Sequence, residues 1–84
     1  MLIDQEPLYV LIFMNKINPK KLLQSKWTAL KPMQKQKHFM VTKMEFDEMG
    51  DVERCQIEAV LTRTQYDINW RELTDESCWI FGWK

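Results

Sequence analysis

Residues 38–47 and 52–62 both combine apolar positions at a spacing of two with polar positions between them, and they flank the four residues EMGD. A period of two predicts strands that bury one face. Both stretches are rich in strand-forming residues, and Gly50 suits the positive φ angle that a tight loop requires. We therefore expect a β-hairpin in the middle of the chain.

A loop of two or four residues would fix which side chains of this hairpin share a face. The polar face would then pair Glu45 with Arg54 and bring Lys43 near Glu58, so that one register separates apolar from polar side chains. A β-bulge in either strand would upset this pairing. In this register we expect one set of apolar residues to be buried together: Met40, Met44, Cys55, Ile57 and Ala59.

Two further elements are predicted before the hairpin. Asn18-Pro19 is a helix-start signal, because Asn caps helix N-termini and Pro is favoured at the first helical position. Residues 25–31 are typical of a short strand, which should end at Pro32 because proline cannot donate to a strand ladder. The predicted helix is one or two turns long.

The segment after the hairpin predicts one more strand and a C-terminal helix. Apolar and polar residues alternate through residues 64–73, and Thr74 followed by two acids is a typical helix N-terminus. Trp79 and Trp83 would share a face of that helix. The predicted fold is mainly β with short helices: a four-stranded antiparallel meander, strongly twisted or half-closed like a small barrel, with a short C-terminal helix.

The length of 84 residues corresponds to one domain. We assign residues 15–84 to a single tryptophan-rich β domain and residues 1–14 to a non-native or flexible leader, because Met14 opens a start-like sequence. We expect residues 1–13 to be dispensable for stability. The apolar run 8–14 could instead form an edge strand, and it is much shorter than the roughly 20 residues that span a bilayer.

Charge is divided unevenly along a chain whose net charge is zero. Residues 16–43 contain eight lysines and no acid, whereas residues 45–84 contain ten acids and four basic residues. The basic segment could meet an anionic partner. It could equally pair with the acidic segment of the same chain across the sheet.

Residues that could support catalysis or hold a cofactor are few and far apart. His38 is the only histidine, and Cys55 and Cys78 are 17 and 40 residues from it. A nucleophile needs an adjacent base, and zinc needs four closely spaced ligands. We therefore predict no catalytic residue, no metal site and no cofactor. Without a secretory signal, two reduced thiols are expected.

Aromatic residues interleaved with cations are the main candidates for a binding surface, because rings stack on bases and lysines hold phosphates. A core this small also needs its largest side chains, so Trp27 and Trp70 could equally be core residues. Trp79 and Trp83 are candidates for contact with a protein partner, or for covering the core. The candidate ligand contacts are Lys26, Trp27, Lys35, Lys37, Phe39, Lys43 and Arg71.

Several short runs carry a resemblance to a known family: NPKKLL from residue 18, SKWTA from residue 25, KHFMVT from residue 37 and WREL from residue 70, followed by Trp79, Gly82 and Trp83. Over residues 15–84 the chain resembles the small tryptophan-rich conserved hypothetical proteins of bacteria, a domain of unknown function. The resemblance implies a small intracellular bacterial protein. It implies no catalytic or binding residues.

The sequence therefore predicts a non-enzymatic, cytoplasmic binding module whose ligand is RNA or single-stranded DNA, bound weakly. The alternative is a protein-interaction accessory that docks through exposed C-terminal tryptophans. No membrane association is expected, and the sequence indicates no oligomeric state.

Overall fold

The computed structural model describes residues 14–84, and these residues form one open antiparallel sheet of five strands with two short 3₁₀ helices. The strands lie in the order β4-β3-β2-β1-β5. The predicted mainly β class and the meander of the first four strands are confirmed. The elements in chain order are the first 3₁₀ helix Pro19–Lys21, β1 Lys26–Met33, β2 Gln36–Phe46, β3 Val52–Ala59, β4 Gln65–Ile68, the second 3₁₀ helix Trp70–Thr74 and β5 Trp79–Phe81.

A fifth strand takes the place of the predicted C-terminal helix. The second 3₁₀ helix ends at Thr74 instead of starting there, because Asn69 and Glu72 form a capping box one turn earlier. The chain then pairs with the free edge of β1, where the Leu30 amide donates to the Cys78 carbonyl at 2.8 Å. Strand pairing satisfies more backbone groups than a helix weakened by Gly82 could.

The predicted register of the central hairpin holds only in its middle, from Lys43 to Glu45, because it already shifts at Phe46, which lies opposite Val52 beside the loop. Met44 lies opposite Cys55 as expected, but the register shifts by one residue at Thr42, so that Val41 lies opposite Ile57. The shift turns Phe39 and Val41 into the core, where both are fully buried, and leaves Met40 half-buried on the other face. A bulge of this kind exchanges the two faces of a strand. The prediction that Met40 belongs to the buried set is therefore wrong.

The core lies on one face of the sheet, which we call the core face. Leu22, which caps the end of the first 3₁₀ helix, and Leu73, within the second, cover it from outside the strands. Trp27 is buried, as expected if it is a core residue, and Trp70 is partly buried and packs against the core. The buried core residues contributed by the strands are Trp27, Ala29, Phe39, Val41, Cys55, Ile57, Ala59 and Trp79.

The N-terminal end of the described chain is held by backbone and side-chain contacts. The predicted start of the first 3₁₀ helix is confirmed, because Asn18 caps it and Pro19 is its first residue. Met14 forms an isolated antiparallel bridge with Asp75, and the Asn15 side chain donates to the carbonyls of Leu73 and Trp79. The leader proposed from the sequence lies, apart from Met14, outside the described residues. No helix within residues 14–84 is long and apolar enough to cross a membrane.

Candidate functional site

The face of the sheet opposite the core, which we call the second face, carries mostly polar side chains. Register places Lys26 opposite Met40, Thr28 opposite His38, and Lys43 opposite Gln56 on this face. It also carries acids towards β3 and β4, where Arg54 and Asp67 form an ion pair at 3.1 Å. Cations and aromatic rings are therefore concentrated near β1, and the acids lie further across the sheet.

The last three residues fold over the second face after β5 ends. Gly82 has a φ of 88°, a left-handed conformation that favours glycine, and it turns the chain across β1. The buried Thr28 hydroxyl donates to the Gly82 carbonyl at 2.6 Å and accepts from the Lys84 amide at 2.9 Å. The Trp83 indole Nε1 donates to the Phe39 carbonyl at 3.0 Å. These bonds fix the Trp83 ring on the second face.

Four residues meet around this ring, and we call Lys26, His38, Trp83 and Lys84 the Trp83 cluster. The Lys26 Nζ lies over the ring at 4.8 Å from its centroid, and the His38 ring lies at 6.1 Å with an interplanar angle of 39°. The His38 Nε2 is 3.0 Å from the Lys84 carbonyl oxygen. Trp83 remains 40% exposed. The cluster is thus an anchored aromatic ring with lysines beside it and part of its surface open to solvent.

Two aromatic residues predicted as ligand contacts lie in the core. Trp27 is 1% exposed and donates from Nε1 to the Ser25 hydroxyl at 2.8 Å, and Phe39 is fully buried. Their rings offer no free face to a base. Phe39 contributes only its backbone carbonyl to the second face, where it accepts from the Trp83 indole.

The cations predicted as ligand contacts lie in four separate places. Lys26 belongs to the Trp83 cluster. Lys35 and Lys37 are exposed in the β1–β2 hairpin, and Lys43 lies on the second face with Glu45 at 3.9 Å. Arg71 lies on the second 3₁₀ helix, with its guanidinium 5.1 Å from the centroid of the Trp70 ring. The structure joins Lys26 to a ring and does not join Arg71 to the same surface.

The two C-terminal tryptophans do not share a surface. Trp79 is 7% exposed and packs edge-on against Phe39, with ring centroids 5.4 Å apart. Trp83 lies on the opposite side of the sheet, because β5 ends at Phe81 and the turn at Gly82 reverses the chain. Only Trp83 is therefore accessible to a partner.

Ion pairs within the fold involve few lysines of the basic segment, residues 16–43. Among residues 14–84, the ion pairs within 4.0 Å are Lys43–Glu45, Arg54–Asp67 and Arg63–Glu58. Only the first joins the basic segment to the acidic one. Within that described part, Lys26, Lys35 and Lys37 have no acidic partner at this distance. The charge pattern therefore remains at the surface.

The cysteines and acids of the described chain do not form a reactive or metal-binding arrangement. Burial, with smaller contributions from Asp67 and Glu72, raises the pKa of the Cys55 thiol to about 11, which suppresses its thiolate. Cys78 is half-buried, and its Sγ donates to an Asp75 oxygen at 3.5 Å. Within residues 14–84 no three His, Cys, Asp or Glu side chains are close enough to hold a metal ion.

The grouping of Lys26 with Trp83 was missed at the sequence level, where the two were assigned to different partners. They are 57 residues apart, and they meet only because β5 pairs with β1 and Gly82 reverses the chain. The adjacent Lys26 and Trp27 in the sequence correctly indicate Lys26 as a candidate contact. They suggest the wrong ring beside it, because Trp27 is buried and Lys26 lies over Trp83.

Comparison with known proteins gives one match. No curated protein and no solved structure matches the chain. The family model described as tryptophan-rich protein (DUF2389) matches residues 25–84, which is more than half of the chain and includes all five strands. The matched region contains the four tryptophans and every residue of the Trp83 cluster. The chain therefore belongs to the tryptophan-rich protein family DUF2389, a domain family of unknown function.

Proposed function

We propose that this domain is a non-enzymatic module that binds single-stranded RNA or DNA weakly through the Trp83 cluster. The observation that carries the proposal is the Trp83 ring, 40% exposed, with the Lys26 ammonium 4.8 Å from its centroid. Proteins that bind single strands without sequence preference combine such rings with cations that follow the backbone.

The energies of the competing contacts favour a ligand on this ring. A cation–π contact at an exposed site contributes about 0.5–1 kcal/mol, whereas stacking of a base on an aromatic side chain contributes about 1–3 kcal/mol. A base can therefore displace the Lys26 ammonium from the ring. The flexible lysine then reaches the adjoining phosphate, where it releases a counterion.

Two further lysines lie near the cluster and add positive charge around it, although Lys37 leaves β2 on the face opposite to His38. Lys37 directly precedes His38 in β2, and Lys35 lies in the turn of the same hairpin. Both are exposed and, among residues 14–84, neither has an acid within 4.0 Å. They add charge without adding a ring, so we expect them to strengthen binding equally for all base sequences.

Fluorescence anisotropy with labelled oligo(U) and oligo(dT) tests the proposal. We expect binding at about 50 mM salt that disappears near 200 mM salt, because lysine–phosphate contacts weaken steeply with ionic strength. Lys26→Glu should lower the slope of log affinity against log salt by about one to two. The double change of Lys35 and Lys37 to Glu should abolish binding without unfolding the domain.

Lys31→Glu is the matched control for Lys26→Glu. It makes the same charge change in the same strand, but Lys31 lies about 17 Å further along β1 at 3.3 Å per residue and acts electrostatically on Asp75. We expect a smaller effect from the control. Trp83→Phe should retain more affinity than Trp83→Ala. The absence of binding at about 50 mM salt, or equal effects of the two lysine changes, would contradict the proposal.

The second candidate is docking to a protein partner through Trp83. The exposure of the Trp83 ring, 40%, favours it, because large exposed aromatics are typical of interaction sites. Apolar docking should survive salt, so retention of one protein from a bacterial lysate at about 500 mM salt, lost in Trp83→Ala, would favour this function. For either function, the compartment we propose is the bacterial cytoplasm.

A further inference from the structure

A small cavity opens on the core face at the end of β1 that lies beside β5. Its volume is about 270 Å³. Chain segments from before the first 3₁₀ helix, from that helix, from β1 and from β5 contribute to it. We call it the Trp27–Phe81 pocket, and its lining is Lys16, Ile17, Asn18, Lys21, Leu22, Ser25, Trp27 and Phe81.

The walls of this pocket are apolar and already packed. Trp27 and Leu22 are buried, and Phe81 stands edge-on to Trp27 with ring centroids 5.2 Å apart while 62% exposed. Ile17 packs partly buried against the same cluster. An apolar ligand would therefore cover Phe81 without disturbing the core.

The polar groups in the walls are occupied by the protein itself. The Ser25 hydroxyl donates to the Leu22 carbonyl and accepts from the Trp27 indole. The Asn18 side chain accepts from the Lys20 amide as the cap of the first 3₁₀ helix. A ligand therefore finds few free hydrogen-bonding groups in the walls, and its polar part must be recognised elsewhere.

Two lysines supply that recognition. Lys16 and Lys21 both belong to the lining, are exposed, and have no acidic partner within 4.0 Å among residues 14–84. Pockets for drug-sized ligands have volumes of about 300–1,000 Å³, so this one suits only a small molecule. We propose that the Trp27–Phe81 pocket binds a small free carboxylate with an apolar body, such as a medium-chain fatty acid or an aryl-carboxylic acid.

This site does not depend on the proposed nucleic-acid function. The pocket opens on the core face, whereas the Trp83 ring lies on the second face. Ligand binding at the two sites can therefore be followed separately in one experiment. Titration of the ¹⁵N-labelled full chain with octanoate should shift the indole signal of Trp27 and the amide signals of Ser25 and Phe81. The indole signal of Trp83 should stay in place.

The expected shifts saturate with a dissociation constant of about 1 mM, which is the affinity that a ligand of this size can reach. Octan-1-ol, a neutral molecule of matched length, should bind more weakly. The double change of Lys16 and Lys21 to Glu should weaken octanoate binding about five- to ten-fold. The double change of Lys35 and Lys37 to Glu is charge-matched, lies outside the pocket, and should leave octanoate binding unchanged. Phe81→Ala removes one wall without changing the charge and should also weaken it.

Three outcomes would overturn the proposal. Shifts that grow linearly and include Trp83 would indicate unspecific contact with exposed rings. Equal binding of octan-1-ol, unaffected by the change at Lys16 and Lys21, would indicate an apolar crevice without preference for an anion. Binding of phosphatidylglycerol vesicles without binding of free octanoate would indicate a lipid surface as the ligand.

Discussion

The buried hydroxyl of Thr28 donates a hydrogen bond of 2.6 Å to the carbonyl oxygen of Gly82. The Thr28 hydroxyl oxygen in turn accepts from the Lys84 amide at 2.9 Å, so one side chain of β1 holds the backbone on both sides of Trp83. Thr28 is only 2% exposed, and these bonds satisfy a polar atom that would otherwise be costly to bury. The position of the Trp83 ring therefore depends on a residue that faces away from the core.

Thr28→Val tests this dependence. The change keeps the shape of the side chain and leaves the Gly82 carbonyl and the Lys84 amide without a partner. We expect a loss of about 1–3 kcal/mol in the free energy of unfolding, measured with urea. Affinity for oligo(U) should fall as well, because the Trp83 ring loses its anchor. A variant that loses stability but keeps full affinity would show that the ring is held by other contacts.

Thr42→Val, the same substitution at the bulge of β2, should have the opposite sign. The Thr42 Oγ1 is buried and has no hydrogen-bond partner within residues 14–84. Replacing this hydroxyl by a methyl group removes the cost of an unsatisfied polar atom, so we expect a gain of about 0.5–1.5 kcal/mol in urea unfolding. A loss of stability at this position would mean that a water molecule satisfies the hydroxyl.

The turn of the β1–β2 hairpin should be improved by residues that favour positive φ. Gln34 and Lys35 have φ angles of 49° and 65°, a conformation that side chains other than those of Gly and Asn adopt at a cost. The double change Gln34→Asn and Lys35→Gly should raise the free energy of unfolding by about 1 kcal/mol, measured by thermal and urea unfolding. The single change Gln36→Asn, one residue beyond the turn, is the control and should bring no gain.

Asp75 should make stability depend on acidity. Hydrogen bonds from the Ser77 hydroxyl at 2.6 Å and from the Ser77 amide at 2.9 Å hold the pKa of Asp75 below its ordinary value of 3.8. A carboxyl group whose pKa is lowered by folding stabilises the protein at pH values above its ordinary pKa. This contribution to the free energy of unfolding is lost as the pH falls through the pKa of the folded state. The Asp75→Asn variant cannot titrate at this position. Its free energy of unfolding, measured with urea, should therefore be lower than that of the wild type at about pH 5, and the difference should shrink towards about pH 2. A constant deficit would contradict the assignment.

The two thiols should differ sharply in reactivity. The pKa of Cys55 is raised to about 11 and its side chain is 2% exposed, whereas Cys78 is half-buried beside Asp75. Only the thiolate reacts with iodoacetamide. Mass spectrometry of the folded protein at about pH 8 should therefore show Cys78 alkylated first, and Cys55 only at the rate of unfolding. Equal labelling rates would indicate that β3 opens readily.

Features that depend on neighbouring residues were predictable from the sequence. The Asn18-Pro19 start of the first 3₁₀ helix, the positive φ of Gly50 in the hairpin loop and the nearby pair Met44–Cys55 all follow from short-range geometry. Each involves residues close in the sequence, where turn chemistry and capping act without help from the rest of the chain. The mainly β class follows for the same reason, because a spacing of two is a local property of a strand.

Features that depend on distant residues were decided only in the folded chain. Two registers of the β2–β3 hairpin differ by one residue, and the choice falls on the one that buries Phe39 and Val41 in place of Met40. Phe39 packs against Trp79, 40 residues away, and burial of large rings outweighs the cost of the bulge and of the unsatisfied hydroxyl of Thr42. Likewise, Lys26 meets Trp83 because β1 offers a free edge that β5 satisfies, and no local pattern near either residue encodes that pairing.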